Sequence, residues 1–318
     1  MLEISYSSLS LYCLCPKKYY WKYLESLTPR KTHAGLILGK TIHEAFDLYY
    51  KGSNMTDIVS YIDKTYRDIM GTLPSEEQEQ CYLDSKTCLG MFLNFPFNQM
   101  VFDKVESERS FKIQLMKGVI YVGRIDGKVE ETGHKWIREF KTTGEVKAMF
   151  ENRASVSSQA TGYVWAMTNI DLEPIVGVLY DGIRKPRLVK KMNEDMYEFG
   201  QRIYLDYCDE KKKESYFYRY PTYRTTENIE LWLEDTKLIA KDIKRARDKH
   251  EYPRNTGSCW VFNKECEYRR VCHERNPDPM VLDLLYEKGE PYGEDGSEER
   301  DGGGIIGGGV GGLTHGAR

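Results

Sequence analysis

The sequence predicts a mixed α/β domain in which helices precede and follow a central β-sheet. Three observations carry that expectation. Apolar residues recur at helical spacing up to Pro96, switch to period two between residues 105 and 141, and return to helical spacing further on. The 318 residues are 40% hydrophobic and 30% charged, enough to bury a sizeable core. Near the C-terminus the composition turns to acid and then nearly pure glycine (DGGGIIGGGVGGLTHGAR), which limits the expected folded body to residues 1–285. Segment 286–318 cannot bury enough apolar surface to offset its ordering entropy and is expected to be a disordered tail.

The formal net charge of −3 selects no class of partner, so any contact with nucleic acid must come from local patches. No apolar run approaches the ~20 residues of a membrane span. The opening MLEISYSSLSLYCLCPKKYY lacks the basic start and unbroken apolar stretch of a secretion signal. Neither membrane insertion nor export is expected, and a reducing cytoplasm is the default.

Residues 5–24 read as two short helices broken at Pro16, a residue suited to a helix's first turn. Helices follow over 35–50, where Ile42, Phe46 and Tyr49 share a face, over 56–70, and from 75 to Pro96. Strands are expected at 105–115, 118–130 and 135–141, with turns at Lys117-Gly118 and Thr132-Gly133. A helix over 155–168, a strand over 174–182 and a charged strand or loop to 190 come next. Helices return at 193–211 and 226–249. No internal repeat stands out.

The sharpest chemical signal is GRIDGKVEETGHKWIREFK. On a strand Glu139 and Lys141 point to one face and Phe140 to the other. With Thr132-Gly133 as a two-residue hairpin loop, Glu131 faces His134 and Asp126 faces Glu139. Directly opposed carboxylates are destabilising, and a divalent cation held between them removes the repulsion. Magnesium or manganese suits such oxygens, and the Lys141 ammonium would orient a water or stabilise a phosphoryl oxyanion. His43 lies on an otherwise apolar helix, where a core role is the commoner one. Gln159 and Tyr163 stand four apart on the helix after the lysine strand. Glu108, on the preceding strand, is a weaker supporting candidate.

Eight cysteines are too few for a disulfide scaffold in a chain this long. Cys259, Cys266 and Cys272 fall within fourteen positions of a turn-rich segment, and CLCP offers Cys13 or Cys15 as a fourth thiol. Cys15 precedes Pro16, where the helical ladder is interrupted, and is preferred. Zinc and an iron–sulfur cluster both accept four thiolates; the lack of a C-x2-C knuckle favours the cluster. Cys81, Cys88 and Cys208 look like ordinary buried cysteines.

Taken together, the segments SYSSLSLYCLCPKKYYWKYL, LGKTIHEAF, GRIDGKVEE, IREFKTT, QATGYVWAM and PRNTGSCWVFNKECEYRRVC resemble the RecB-type, iron–sulfur branch of the PD-(D/E)XK nucleases, in family order over residues 5–272. The branch includes CRISPR-associated RecB-like nucleases, the AddB nuclease domain and phage relatives. The resemblance implies a restriction-endonuclease-like core with its two chain ends joined at a cysteine cluster. It implies His43, Asp126, Glu139 and the Phe140 carbonyl as ligands of Mg2+ or Mn2+. Lys141 would be the catalytic lysine, assisted by Gln159 and Tyr163. Cys15, Cys259, Cys266 and Cys272 would hold a 4Fe-4S cluster of structural role. Glu139 stands where many members carry Asp, a variation the superfamily allows.

The implied activity is exonucleolytic hydrolysis of DNA single strands or ends. The implied partners are DNA and the proteins of recombination, replication or CRISPR adaptation. No G-x-x-x-x-G-K-[ST] loop is present, so no ATP-driven motor is expected. A non-catalytic binding module of the same fold is the alternative, but His, Asp, Glu and Lys together argue against it. For substrate grip the sequence offers Lys17, Lys18, Lys185, Arg187 and the stretch KKKESYFYRYPTYR with Tyr216, Tyr218, Arg219 and Tyr223, where rings among cations suit single strands.

Overall fold

Residues 1–30, 34–97, 102–261 and 264–289 are described in the computed structural model; beyond Gly289 the expected tail lies outside them. The chain opens with β1 (Leu2–Ile4), α1 (Tyr6–Leu14), α2 (Pro16–Tyr19) and β2 (Leu27–Pro29). Ser5 closes a capping box with Ser8 at the start of α1, and Pro16 begins α2, so the break falls where the sequence placed it. Three helices follow: α3 (Ala34–Tyr50), α4 (Met55–Met70) and α5 (Ser75–Asn94).

The strand region contains β3 (Lys104–Glu106), β4 (Arg109–Met116), β5 (Val119–Ile125), β6 (Gly127–Glu131) and β7 (His134–Thr143). Then come α6 (Lys147–Ser155), α7 (Ser158–Asp171), β8 (Gly177–Arg184), α8 (Met196–Cys208), α9 (Lys213–Tyr216), β9 (Phe217–Tyr223) and α10 (Thr226–Lys249). Short elements close the described chain: β10 (Trp260–Val261), β11 (Lys264–Glu265), α11 (Arg269–Cys272), α12 (Pro279–Leu285) and β12 (Tyr286–Lys288). β12 pairs with β2, carrying ordered structure three residues past the boundary that composition drew at 285. No helix among the described residues is long and apolar enough to cross a membrane.

A mixed five-stranded sheet, ordered β3-β6-β7-β8-β9, forms the centre; β7 and β8 run parallel and the other pairs antiparallel. A second sheet, β1-β5-β4, stands beside it. The strand expected over 118–130 is therefore broken at Asp126, and the one expected over 105–115 is broken at Ser107-Glu108. Both strands of one long ribbon bend together as it passes between the sheets. Gly127 makes the bend possible, because a Cβ there would come 2.9 Å from the Glu106 carbonyl oxygen.

The hairpin register is the one read from sequence: Glu131 faces His134 and Gly127 faces Arg138. Thr132 and Gly133 both adopt positive φ, as a two-residue primed turn requires. One face of the central sheet packs on α7 and α10 through Ile137, Tyr180, Val164 and Trp232. The other packs on α3, α5 and α8 through Phe140, Phe46, Phe92 and Ile203. The sequence reading did not foresee α6, whose buried residues Phe150 and Ala154 are too few to show a period, nor strand β9 and, α1 and α2 apart, the short elements at the two ends of the chain.

Candidate active site

The site forms where β6 stops pairing with β7. The ladder ends at Gly127–Arg138, one pair short of Asp126 and Glu139. Past that point the edge of β7 is met by a side chain: the Phe140 amide donates to Asp126 Oδ2 at 2.8 Å. Asp126 Oδ1 lies 3.4 Å from His43 Nδ1 on α3. His43 packs ring edge to face on Phe140, and Ile42 and Phe46 of the same helix are buried. Its helix face thus serves the site and the core together.

Glu139 and Lys141 project toward α7. Lys141 Nζ donates to Glu139 Oε1 at 2.6 Å and stands 3.4 Å from Gln159 Oε1. The Gln159 amide in turn donates to Tyr163 Oη at 2.9 Å, which fixes the orientation of the carboxamide. Ser157 caps α7 by accepting from the Ala160 amide, and that cap sets where Gln159 begins. His43, Asp126, Glu139, Phe140, Lys141, Gln159 and Tyr163 are thereby linked through neighbouring contacts. Glu108 falls in the gap between β3 and β4, bound to Arg124 at 3.4 Å; it lines a small cavity with His43, Asp47, Tyr50 and Asp126. Asp47 was not foreseen, although it stands one helical turn from His43.

Electrostatics divides the two acids. Burial and the neighbouring Asp126 push the Glu139 carboxyl up to about 7, against the pull of Lys141. For Asp126 burial is outweighed by His43, Lys141 and the Phe140 amide, which hold its carboxyl below the usual range. Burial would lower Lys141, but Glu139 and Asp126 raise its ammonium well above normal. Glu139 is 4% exposed, and its Oε2 is buried without a hydrogen-bond partner. Such an oxygen beside a second carboxylate fits a hard dication, which would supply the missing partner and relieve the repulsion. Among the described residues no three His, Cys, Asp or Glu side chains are yet drawn to metal-holding distance.

The family profile of the PD-(D/E)XK nuclease superfamily matches residues 3–273. The chain belongs to that superfamily. No curated protein matches it in sequence. The crystal structure of a "Putative exonuclease" from Eubacterium rectale is similar in fold, with a TM-score of 0.50 at 12% identity over 89% of this chain and 92% of that one. The mixed sheet flanked by helices is the restriction-endonuclease-like core of the PD-(D/E)XK nucleases.

The four cysteines that the sequence assigned to one centre in this PD-(D/E)XK nuclease form no metal-holding group among the described residues. Cys15 and Cys272 are buried, Cys259 and Cys266 half-buried, and none forms a disulfide. The Asn255 amide donates to Cys15 Sγ at 3.4 Å, and the Cys266 amide to the Cys259 carbonyl at 2.8 Å. Burial first, and then Cys15, Cys259 and Cys266, push the Cys272 thiol up. Cys13 is exposed and feels Asp242 of α10 instead.

Several residues expected to grip substrate are engaged by other parts of the protein. Lys18 pairs with Glu267 at 2.9 Å, and Lys17 lies over the rings of Tyr20 and Trp21. Tyr216 and Tyr218 are buried. Arg219 bonds Asp181, and Arg224 bonds backbone and hydroxyl oxygens. Alternation on β9 and packing under α6 decided this, because cations and rings on a strand look alike whether they face water or the core. Tyr223 remains exposed.

Proposed function

We propose that the chain is a magnesium- or manganese-dependent DNA exonuclease with a structural iron–sulfur cluster. The observation that carries the reading is the buried, unpartnered Glu139 oxygen beside Asp126, with the Lys141 ammonium on the same carboxylate. His43, Asp126, Glu139 and the Phe140 carbonyl would hold the cation, which when bound would polarise the scissile phosphate and acidify a water. Lys141 would stabilise charge growing on the phosphoryl oxygens. Gln159, oriented by Tyr163, would keep the ammonium aimed there instead of folded onto Glu139.

A basic loop supports DNA as the substrate. Lys185, Arg187, Lys190 and Lys191 form no ion pair among the described residues, and the last three are exposed. The loop is tied to the end of β7 by Lys185 N to the Thr143 carbonyl and by Arg187 to the Gly144 carbonyl, each at 2.7 Å. Phosphates flanking a bond held at Lys141 would meet this rim. The name of the Eubacterium rectale structure agrees with exonucleolytic attack.

The test is cleavage of end-labelled single-stranded DNA by the purified protein. Manganese is expected to start it and EDTA to stop it. Absence of cleavage with either metal would favour the non-catalytic module.

Cys15, Cys259, Cys266 and Cys272 are free thiols, and the bond from the Asn255 amide to Cys15 Sγ ties the segment of the first to that of the other three. Cys15, Cys259, Cys266 and Cys272 would hold a 4Fe-4S cluster and fasten the first helices to the last segment. Protein prepared without oxygen should be brown, absorbing near roughly 400 nm from thiolate-to-iron charge transfer. Cys15→Ala should bleach it and lower its thermal midpoint. A colourless wild type carrying one zinc would replace iron by zinc at the same thiols.

A further inference from the structure

We infer that Arg224 is a positioning residue for the reaction, fixing the junction of α6 and α7 and through it Gln159 and Lys141. The inference rests on the nuclease reading above and assigns a role to a residue outside the superfamily's motif positions in this chain. A guanidinium carries five N–H donors in a rigid plane. All five have acceptors here. Nε donates to Thr161 Oγ1 at 2.9 Å. Nη1 donates to Thr222 Oγ1 at 3.0 Å and to the Tyr223 carbonyl at 2.8 Å. Nη2 donates to the Ala154 carbonyl at 3.0 Å and reaches that of Ser157 at 3.5 Å.

Every acceptor is neutral, and Arg224 has no carboxylate partner among the described residues. Burying a cation without a carboxylate partner is costly, so charge pairing does not explain the residue. The geometry does. Ala154 lies in the last turn of α6, where carbonyls lack helical partners. Ser157 caps α7, and Thr161 stands one turn inside it, itself donating to the Ser157 carbonyl at 3.1 Å. Gln159 lies between them. At 3.4 Å its contact with Lys141 is already long, so a small rotation of the first turn of α7 would lose it. Lysine, with three donors on one nitrogen, cannot span these acceptors.

The experiment compares Arg224→Lys, Gln159→Ala and the double variant. Arg224→Lys is expected to lower kcat about 10- to 100-fold with KM nearly unchanged, the scale of an ångström-sized misplacement. The double variant is expected to be no slower than Gln159→Ala alone. A second readout needs no turnover. The NMR signals of the Gln159 side-chain amide should shift in Arg224→Lys, while those of Asn169, bonded to the Trp165 carbonyl later in α7, stay in place. Thr161→Val, which removes one acceptor, should shift Gln159 in the same way by less, and it decides the matter if Arg224→Lys does not fold. Additive rate losses, or an unmoved Gln159 signal, would overturn the inference. If wild type fails to cleave DNA the nuclease reading falls, and the NMR comparison still judges the positioning of Gln159.

Discussion

Replacing Lys141 with alanine is expected to leave a folded protein whose cleavage of single-stranded DNA is slower by about 100-fold or more, the range for deleting one preorganised charge donor at a developing oxyanion. The side chain is 36% exposed, so little packing is lost with it. What disappears is electrostatic. Its ammonium is bonded to Glu139 and feels Asp126 as well. Without it the Glu139 carboxyl, already raised to about 7 by burial and Asp126, rises further. Lys141→Arg should not restore the rate, since a planar fork cannot place one point charge between Glu139 and Gln159. The measurement is kcat with manganese at saturating substrate, with circular dichroism to verify folding. Cleavage at the wild-type rate by Lys141→Ala would remove the lysine from the mechanism.

Asp181→Ala is expected to cost about 3–5 kcal/mol of stability, the usual loss when one partner of a buried ion pair is removed. The Asp181 side chain is fully buried between two guanidinium groups. It accepts from Arg138 Nε at 2.7 Å, from Arg219 Nε at 2.8 Å and from Arg219 Nη2 at 3.0 Å. Arg138 is 1% exposed, so the charges left behind cannot simply turn to water. The faces of Tyr50 and Phe140, each 4.3 Å from the Arg138 guanidinium carbon, and of Phe102, 4.6 Å from that of Arg219, offset part of the surplus. They do not replace a carboxylate. Domains of this kind hold only about 5–15 kcal/mol in all, so the variant should unfold at far lower urea than wild type. A shift in urea midpoint equivalent to less than about 1 kcal/mol would mean the triad is not acting as a buried ion pair. The network lies under Phe140, on the sheet face opposite Glu139 and Lys141.

Much of this was legible along the chain. The β6–β7 register followed from one two-residue turn, because strand pairing next to a tight loop is fixed by the loop itself. Helix α10 runs over the residues its period and its Thr225 capping box define. The bend at Asp126 was not legible: both halves of the ribbon have strand character, and the break exists only because two sheets meet there. Arg138, Arg219 and Arg224 were unreadable for a related reason. An arginine on or beside a strand carries no mark of burial, and Asp181 lies 38 or more residues from Arg138 and Arg219, as Thr161 lies 63 from Arg224.

The sequence by itself determined the chemistry available: two acids, a lysine and a histidine on elements whose local periods aim them, and four thiols in two clusters far apart in the chain. Tertiary structure decided which of these meet. It stopped the β6 ladder one pair short, so that Asp126 turns inward to the Phe140 amide and Glu139 keeps an oxygen without a partner. Local periodicity reports the direction of a side chain. Only packing settles whether water, a charge or nothing stands at its end.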